Sequence, residues 1–216
     1  MSDGPRLRAQ ACRFYRVGWL FVVLICGATS RAQALGLSEW NVDGLCRGVL
    51  LNGDIARNEA PELIKRMIAM AERCGSRTIV MQRMPGGSVN DAIAVGEAIR
   101  SREYVTVMLP GSICASACGL IYLAGVQRYW RPNARFIIHR PEIRVTMPFK
   151  SIAEENQAYD ELKIRLIRYV AAMGANPDYV EAMYVIGGDN PGPKERTLEN
   201  VDLTRLGLVT QVGAPF

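Results

Sequence analysis

The sequence predicts an α/β fold built on a parallel, repeating core. Three observations carry this expectation. Short apolar runs stand at 78–81, 105–109 and 135–139, stretches of helical spacing separate the first of them, and Gly or Pro punctuates the junctions. A strand that hands over to a helix before the next strand returns to its sheet in parallel. At 216 residues the chain suits one domain with a full core, and no stretch of it repeats another.

Each element has its own local reason. Residues 48–55 read as a strand with a turn at Asn52-Gly53. Residues 61–74 follow helical spacing, with Leu63, Ile64, Met67, Ile68 and Ala71 on one face. Thr78 to Met81 makes a short buried strand, after which Ser88 caps a helix with Asp91 in a capping-box position. That helix reaches about Arg102 and buries Ala92, Val95 and Ile99. The strand at 105–109 breaks at Pro110-Gly111, and an apolar helix rich in small residues begins near Ser116 and runs to about 124. Residues 128–133 form a turn, and the strand at 135–139 ends on His139. Beyond it come an outlying strand at 143–147 and a long charged helix at 151–173, with Ile152, Tyr159, Leu162, Leu166 and Val170 as its apolar positions. The Gly/Pro-rich stretch 187–193 is a loop, 197–208 closes the fold, and 211–216 is a loose tail.

Composition narrows the class of function. The formal charge is +5, yet residues 1–34 hold five arginines against one aspartate, leaving 21 basic and 20 acidic residues in the remainder. No basic stripe interleaved with aromatics suggests a nucleic-acid partner. The basic segment 6–16, the uncharged apolar run 17–28 and Ala32-Gln33-Ala34 have the order of a secretory signal cleaved after Ala34. The apolar run is short for a membrane span, although an uncleaved anchor is the competing reading. A mature domain of 35–216 in the periplasm or outside the cell follows.

Export changes the meaning of the cysteines. Cys46, Cys74, Cys114 and Cys118 remain after cleavage and allow three pairings in an oxidising compartment. Cys114 and Cys118 are close enough to bridge across a helix start, so Cys114–Cys118 with Cys46–Cys74 is the preferred pairing; buried free thiols are the alternative. Paired CxxC motifs are absent and the single histidine has another candidate role, which argues against a zinc site. No metal or cofactor is expected.

Three stretches carry chemistry. Ser116 stands where a strand passes into a helix, a place that suits either a helix cap or a nucleophile. Met84-Pro-Gly-Gly-Ser-Val89 offers adjacent glycines, whose backbone can approach a ligand closely or simply turn. Ala134-Arg-Phe-Ile-Ile-His-Arg-Pro141 ends a strand on His139, so any imidazole base must be this one.

These stretches, in this order, resemble the Clp protease proteolytic subunit, and in particular secreted bacterial Clp-protease-like proteins with Cys-x-Ser-x-Cys around the serine. The resemblance covers about 48–210 and includes Leu206-Gly-Leu-Val209 near the end. It implies a crotonase/ClpP-like superhelix of strand–strand–helix units with a handle at about 143–175, through which subunits would associate into a homo-oligomer. It also implies a serine peptidase. Ser116 would attack a carbonyl, His139 would shuttle its proton, and the N–H groups of Gly87 and Ala117 would hold the oxyanion. Counting back from Leu206 as the family would places Glu195 as the third member, where an aspartate is usual; Asp189 and Asp202 are rivals. An exported protein has no ATP to drive an unfoldase, so no ATPase partner is expected and the substrates would be peptides or unfolded segments. The competing reading is a ClpP-like binding or scaffold protein without hydrolysis. An acyl-CoA enzyme of the same superfold fits poorly with export and with a Ser–His pair.

Overall fold

The strands of the structure, a computed structural model describing residues 35–143, 147–186 and 193–212, join in one eight-stranded sheet. Its path is β1-β2-β3-β4-β5-β8, with β6 branching from β4 and carrying β7. The expected signal segment 1–34 lies outside the described residues.

β1 (Gly36–Val42) and β2 (Leu45–Asn52) form an antiparallel hairpin. Its turn residues Asp43 and Gly44 both take positive φ, 52° and 77°, the backbone that an Asp-Gly pair supplies in a two-residue hairpin. β1 extends the architecture expected from the sequence: its residues are mostly exposed and lack the apolar run that marks a buried strand.

From β2 the chain alternates as predicted. α1 (Ala60–Cys74) buries Leu63, Met67 and Ala71, and Gly75 ends it in a left-handed conformation. β3 (Thr78–Met84) pairs in parallel with β2. Ser88 caps α2 (Val89–Ser101), its hydroxyl accepting from the Asp91 N–H, and the helix buries Ala92, Val95 and Ile99 as expected.

β4 (Val105–Ala115) corrects the expected break at Pro110-Gly111. The strand runs on through it, but changes partners. Residues 106–108 pair with β5 (Arg128–Trp130), whereas 113–115 pair with β6 (Arg135–Ile138). Against β3 the register moves from Met81↔Met108 to Arg83↔Ile113, so β4 carries three extra residues there. Proline lacks a donor for the ladder and Gly111 takes a φ of 70°, which lets the strand bulge without ending. β4 thereby serves as two successive segments before α3.

α3 (Cys118–Leu123) follows, and all six of its residues are buried. The region read as a turn at 128–133 contains β5, whose three residues are too few to show an alternation. Around Phe136 the rings of Tyr122, Trp130 and Tyr179 gather with centroids 5.9, 6.1 and 6.0 Å away, forming an aromatic centre in the core.

α4 (Ile152–Ala172) is the expected long helix, but it is buried only toward its C-terminal end, at Leu166, Tyr169 and Val170. Ile152, read as one of its apolar positions, is 77% exposed. α5 (Asp178–Tyr184), absent from the sequence reading, then buries Tyr179, Val180 and Met183. β7 (Arg196–Leu198) and α6 (Asn200–Arg205) close the fold, and β8 (Gln211–Val212) pairs with β5 where a loose tail was expected. The core of the 143–147 strand and of the 187–193 loop lies outside the described residues, as does 213–216.

One polar centre ties these last elements together. Arg128 is 3% exposed, and its guanidinium donates to the carbonyls of Leu123, Gly125, Met173, Gly207 and Leu208. Those carbonyls cluster at the C-terminal ends of α3, α4 and α6, where unpaired C=O groups and the helix dipoles favour a cation.

Candidate active site

Ser116 follows the last residue of β4, just before the N-cap of α3, and its φ of 56° is left-handed. Only a surrounding structure that over-determines the turn holds a non-glycine residue there. The cap reading fails on the same geometry: α3 starts at Cys118, its N-cap is Ala117, and no side chain caps it. The serine N–H donates to the Ile137 carbonyl at 2.9 Å, which ties the turn to β6. On either side, the Cys114 and Cys118 sulfurs are disulfide-bonded with Cα atoms 5.3 Å apart, and Cys46 joins Cys74 with Cα atoms 5.1 Å apart. Both pairs are those preferred from the sequence.

The glycine pair lies against this turn. A Cβ on Gly86 would fall 2.6 Å from the Ser116 Cβ and 2.9 Å from the Ala115 oxygen, and the residue's φ is 118°. Gly87 has a φ of 128°, and a Cβ there would strike the Ile55 oxygen. Ile55 clamps the loop from the end of β2, its N–H donating to the Gly86 carbonyl at 2.7 Å and its carbonyl accepting from Ser88 N–H at 2.8 Å. Among the described residues no acceptor meets the N–H of Gly87 or of Ala117, the two expected oxyanion donors.

Asp91, read from the sequence only as a capping-box member, supports the loop from behind. Its carboxylate accepts from Ala60 N–H at 2.9 Å, from Asn58 N–H at 3.2 Å and from the Ser88 hydroxyl. Burial works against its charge, but those hydrogen bonds win and hold the carboxyl below its ordinary range. Spacing could reveal the link to Ser88; it could not reveal the link to Ala60, 31 residues away.

His139 follows β6 and is half-buried. Its Nδ1 lies 2.7 Å from the Arg140 carbonyl. A carbonyl can only accept, so Nδ1 carries a proton, and in the neutral ring that leaves the lone pair on Nε2, the tautomer a base needs. In the parallel pairing of β4 and β6, Ala115 faces Ile137, so Ser116 and His139 leave adjacent strand ends one residue apart in register. Among the described residues no hydrogen bond joins the serine hydroxyl to the imidazole.

Two of the three candidate acids fall among the described residues. β6 and β7 are antiparallel with Ile138 opposite Arg196, so one further step sets Glu195 opposite His139. Glu195 is exposed. Asp202, 8% exposed, is engaged elsewhere: it pairs with Arg196 at 2.5 Å and Arg205 at 3.4 Å and closes the capping box of α6. Burial opposes its charge, and the Arg196 guanidinium with the other donors outweighs this and lowers its pKa. Asp189 lies outside the described residues.

A cleft of about 510 Å³ opens beside the histidine, lined by His139, Arg140, Glu142, Glu155, Tyr159 and Lys194 among others. No group of three or more potential metal ligands occurs among the described residues.

Comparison with other proteins identifies relatives of the chain. The proteolytic subunit 2 of the ATP-dependent Clp protease of Pseudomonas aeruginosa is 28% identical over 139 residues, 63% of this chain and 69% of the relative. Its counterpart in Gluconobacter oxydans is 31% identical over 129 residues, 58% of each chain. The family model described as Clp protease matches residues 44–213, a span that holds the serine turn, the glycine pair, the histidine and Glu195, and the chain belongs to the Clp protease family.

Proposed function

We propose that this protein is an exported serine peptidase that cleaves peptide bonds without ATP. The observation that carries the proposal is the left-handed Ser116, pressed between Gly86 and the end of β6, with the imidazole of His139 leaving the next strand. Ser116 Oγ attacks the carbonyl carbon of a peptide while His139 Nε2 takes its proton. The tetrahedral oxyanion receives the N–H groups of Gly87 and Ala117. His139 then returns the proton to the departing amine, leaving an ester on Ser116 that water hydrolyses by the same steps in reverse.

Glu195 is the acid of this proposal, supported by its register position opposite His139 and by the commitment of Asp202 to two arginines. The Arg140 carbonyl already orients the ring, so Glu195 acts chiefly by stabilising the imidazolium as it forms. The two disulfides and the signal-like N-terminus support a periplasmic or extracellular location. The exposed N-terminal half of α4 supports self-association through that helix. A fluorophosphonate probe tests the proposal: it labels the purified protein at Ser116, and labelling disappears in Ser116→Ala. An unlabelled, folded wild-type protein would retire it.

A further inference from the structure

We propose that Arg140 is a carboxylate receptor on the leaving-group side of the site, which selects peptides by a negative charge beyond the bond to be cut. The assignment of a side rests on the peptidase reading; the receptor itself rests on the geometry of the cleft.

Arg140 directly follows His139 and lines the same cleft. Its guanidinium carbon lies 4.6 Å from the centroid of the Tyr159 ring and 5.8 Å from that of Tyr184. Those rings are held as a pair, because the Tyr184 hydroxyl donates to the Tyr159 carbonyl at 3.1 Å and so links α5 to α4. Ring contact engages the faces of a guanidinium and leaves its edge, the fork of N–H donors, unspent. Among the described residues no oxygen accepts from that fork, and the Nε is buried with no hydrogen-bond partner. A ligand that brings acceptors to the open edge of that fork gains charge-assisted hydrogen bonds. A planar carboxylate fits the fork in two-point fashion.

With Arg140 included, the fixed charges lining the cleft balance, two basic against two acidic. Lys194 adds a second positive charge. Lys194, Glu142 and Glu155 are all exposed, where water screens them, so the half-buried Arg140 is the charge that decides the occupant. The histidine must protonate the departing nitrogen, so the departing segment passes the imidazole and next meets residue 140. Its carboxylate could be an acidic side chain or the free C-terminus of a short peptide; the chemistry of recognition is the same.

Binding of fluorescein-labelled peptides to the full-length Ser116→Ala protein tests this by anisotropy. Otherwise identical peptides carry a free C-terminus or an amide in one arm, and an internal Asp or Asn in the other. A carboxylate form binds about ten- to a hundredfold tighter than its neutral partner, the range expected for a charge-assisted pair. The arm that shows it names the source. Adding Arg140→Met, which retains apolar contact with both rings, brings the ratio to unity; a ratio between two peptides is insensitive to partial loss of folded protein. Parity in the parent protein, or a preference that survives Arg140→Met, overturns the receptor. Fluorophosphonate labelling of wild type runs alongside and separates the two ideas. Preference without labelling ends the peptidase reading and leaves the receptor, whereas labelling without preference does the reverse.

Discussion

Gly86 and Ser116 touch so closely that no side chain fits between them: a Cβ on the glycine would sit 2.6 Å from the serine Cβ and 3.2 Å from the Ala117 nitrogen. Gly86→Ala therefore displaces the nucleophile and one proposed oxyanion donor together, and its φ of 118° adds backbone strain. Probe labelling of Ser116 should slow by about 10²-fold or more, comparable to the loss of one oxyanion donor. Rate of labelling, measured with thermal stability as a control, checks this.

The two disulfides should separate in their effects. Cys46–Cys74 closes a long loop, with a sequence separation of 28, and Cys114–Cys118 a short one, with a separation of 4. Loop entropy alone makes the first worth roughly 3–4 kcal/mol and the second roughly 2 kcal/mol. Replacing Cys46 and Cys74 by Ala should thus cost more stability in urea. Replacing Cys114 and Cys118 should cost more Ser116 reactivity, because that bridge brackets the left-handed turn.

Glu195→Gln and Asp202→Asn should part company. The first neutralises the group opposite His139 and lowers kcat by about 10- to 100-fold, less than for a buried triad acid because the Arg140 carbonyl still orients the ring. The second removes the partner of Arg196 and Arg205 and lowers stability, leaving the pH profile of turnover in place. Steady-state kinetics and urea melts on both variants check the pair.

Acid should loosen the glycine loop through Asp91. Its folded pKa is below the unfolded value, so its contribution is fully present above about pH 4 and fades as pH falls through the folded value. Asp91→Asn should remove this component, giving a flatter loss of stability below pH 4 than wild type. Thermal melts from pH 3 to 7 on both proteins decide it.

Arg128 should tolerate little. Arg128→Met strands carbonyls at the ends of three helices in a buried site, and a loss of about 3 kcal/mol or more is expected. Denaturant unfolding measures it directly.

Local chemistry was legible in the chain. The helix at 60–74 shows in its apolar spacing, the Ser88–Asp91 cap in a three-residue interval, and the glycine pair, serine and histidine as motifs in order. Such features depend on neighbours within one or two turns, so the linear order of residues encodes them. Longer-range facts did not show. Whether β4 ends at Pro110 depends on β6 being there to receive its second half, and whether 128–133 is turn or strand depends on β4 and β8 as partners.

The site divides in the same way. Residue types alone offered a hydroxyl, one imidazole and a flexible backbone, and the family resemblance implied how they would cooperate. Only the folded chain showed Glu195 in register opposite His139 and Asp202 paired with two arginines, which strand register and through-space charge pairing decide. Only it showed Ser116 off the helix and in a left-handed turn, and Arg140 held between two tyrosines from different helices. The physical reason is one of range: backbone preferences act over a few residues, whereas desolvation, charge pairing and close packing act through space between residues the chain keeps far apart.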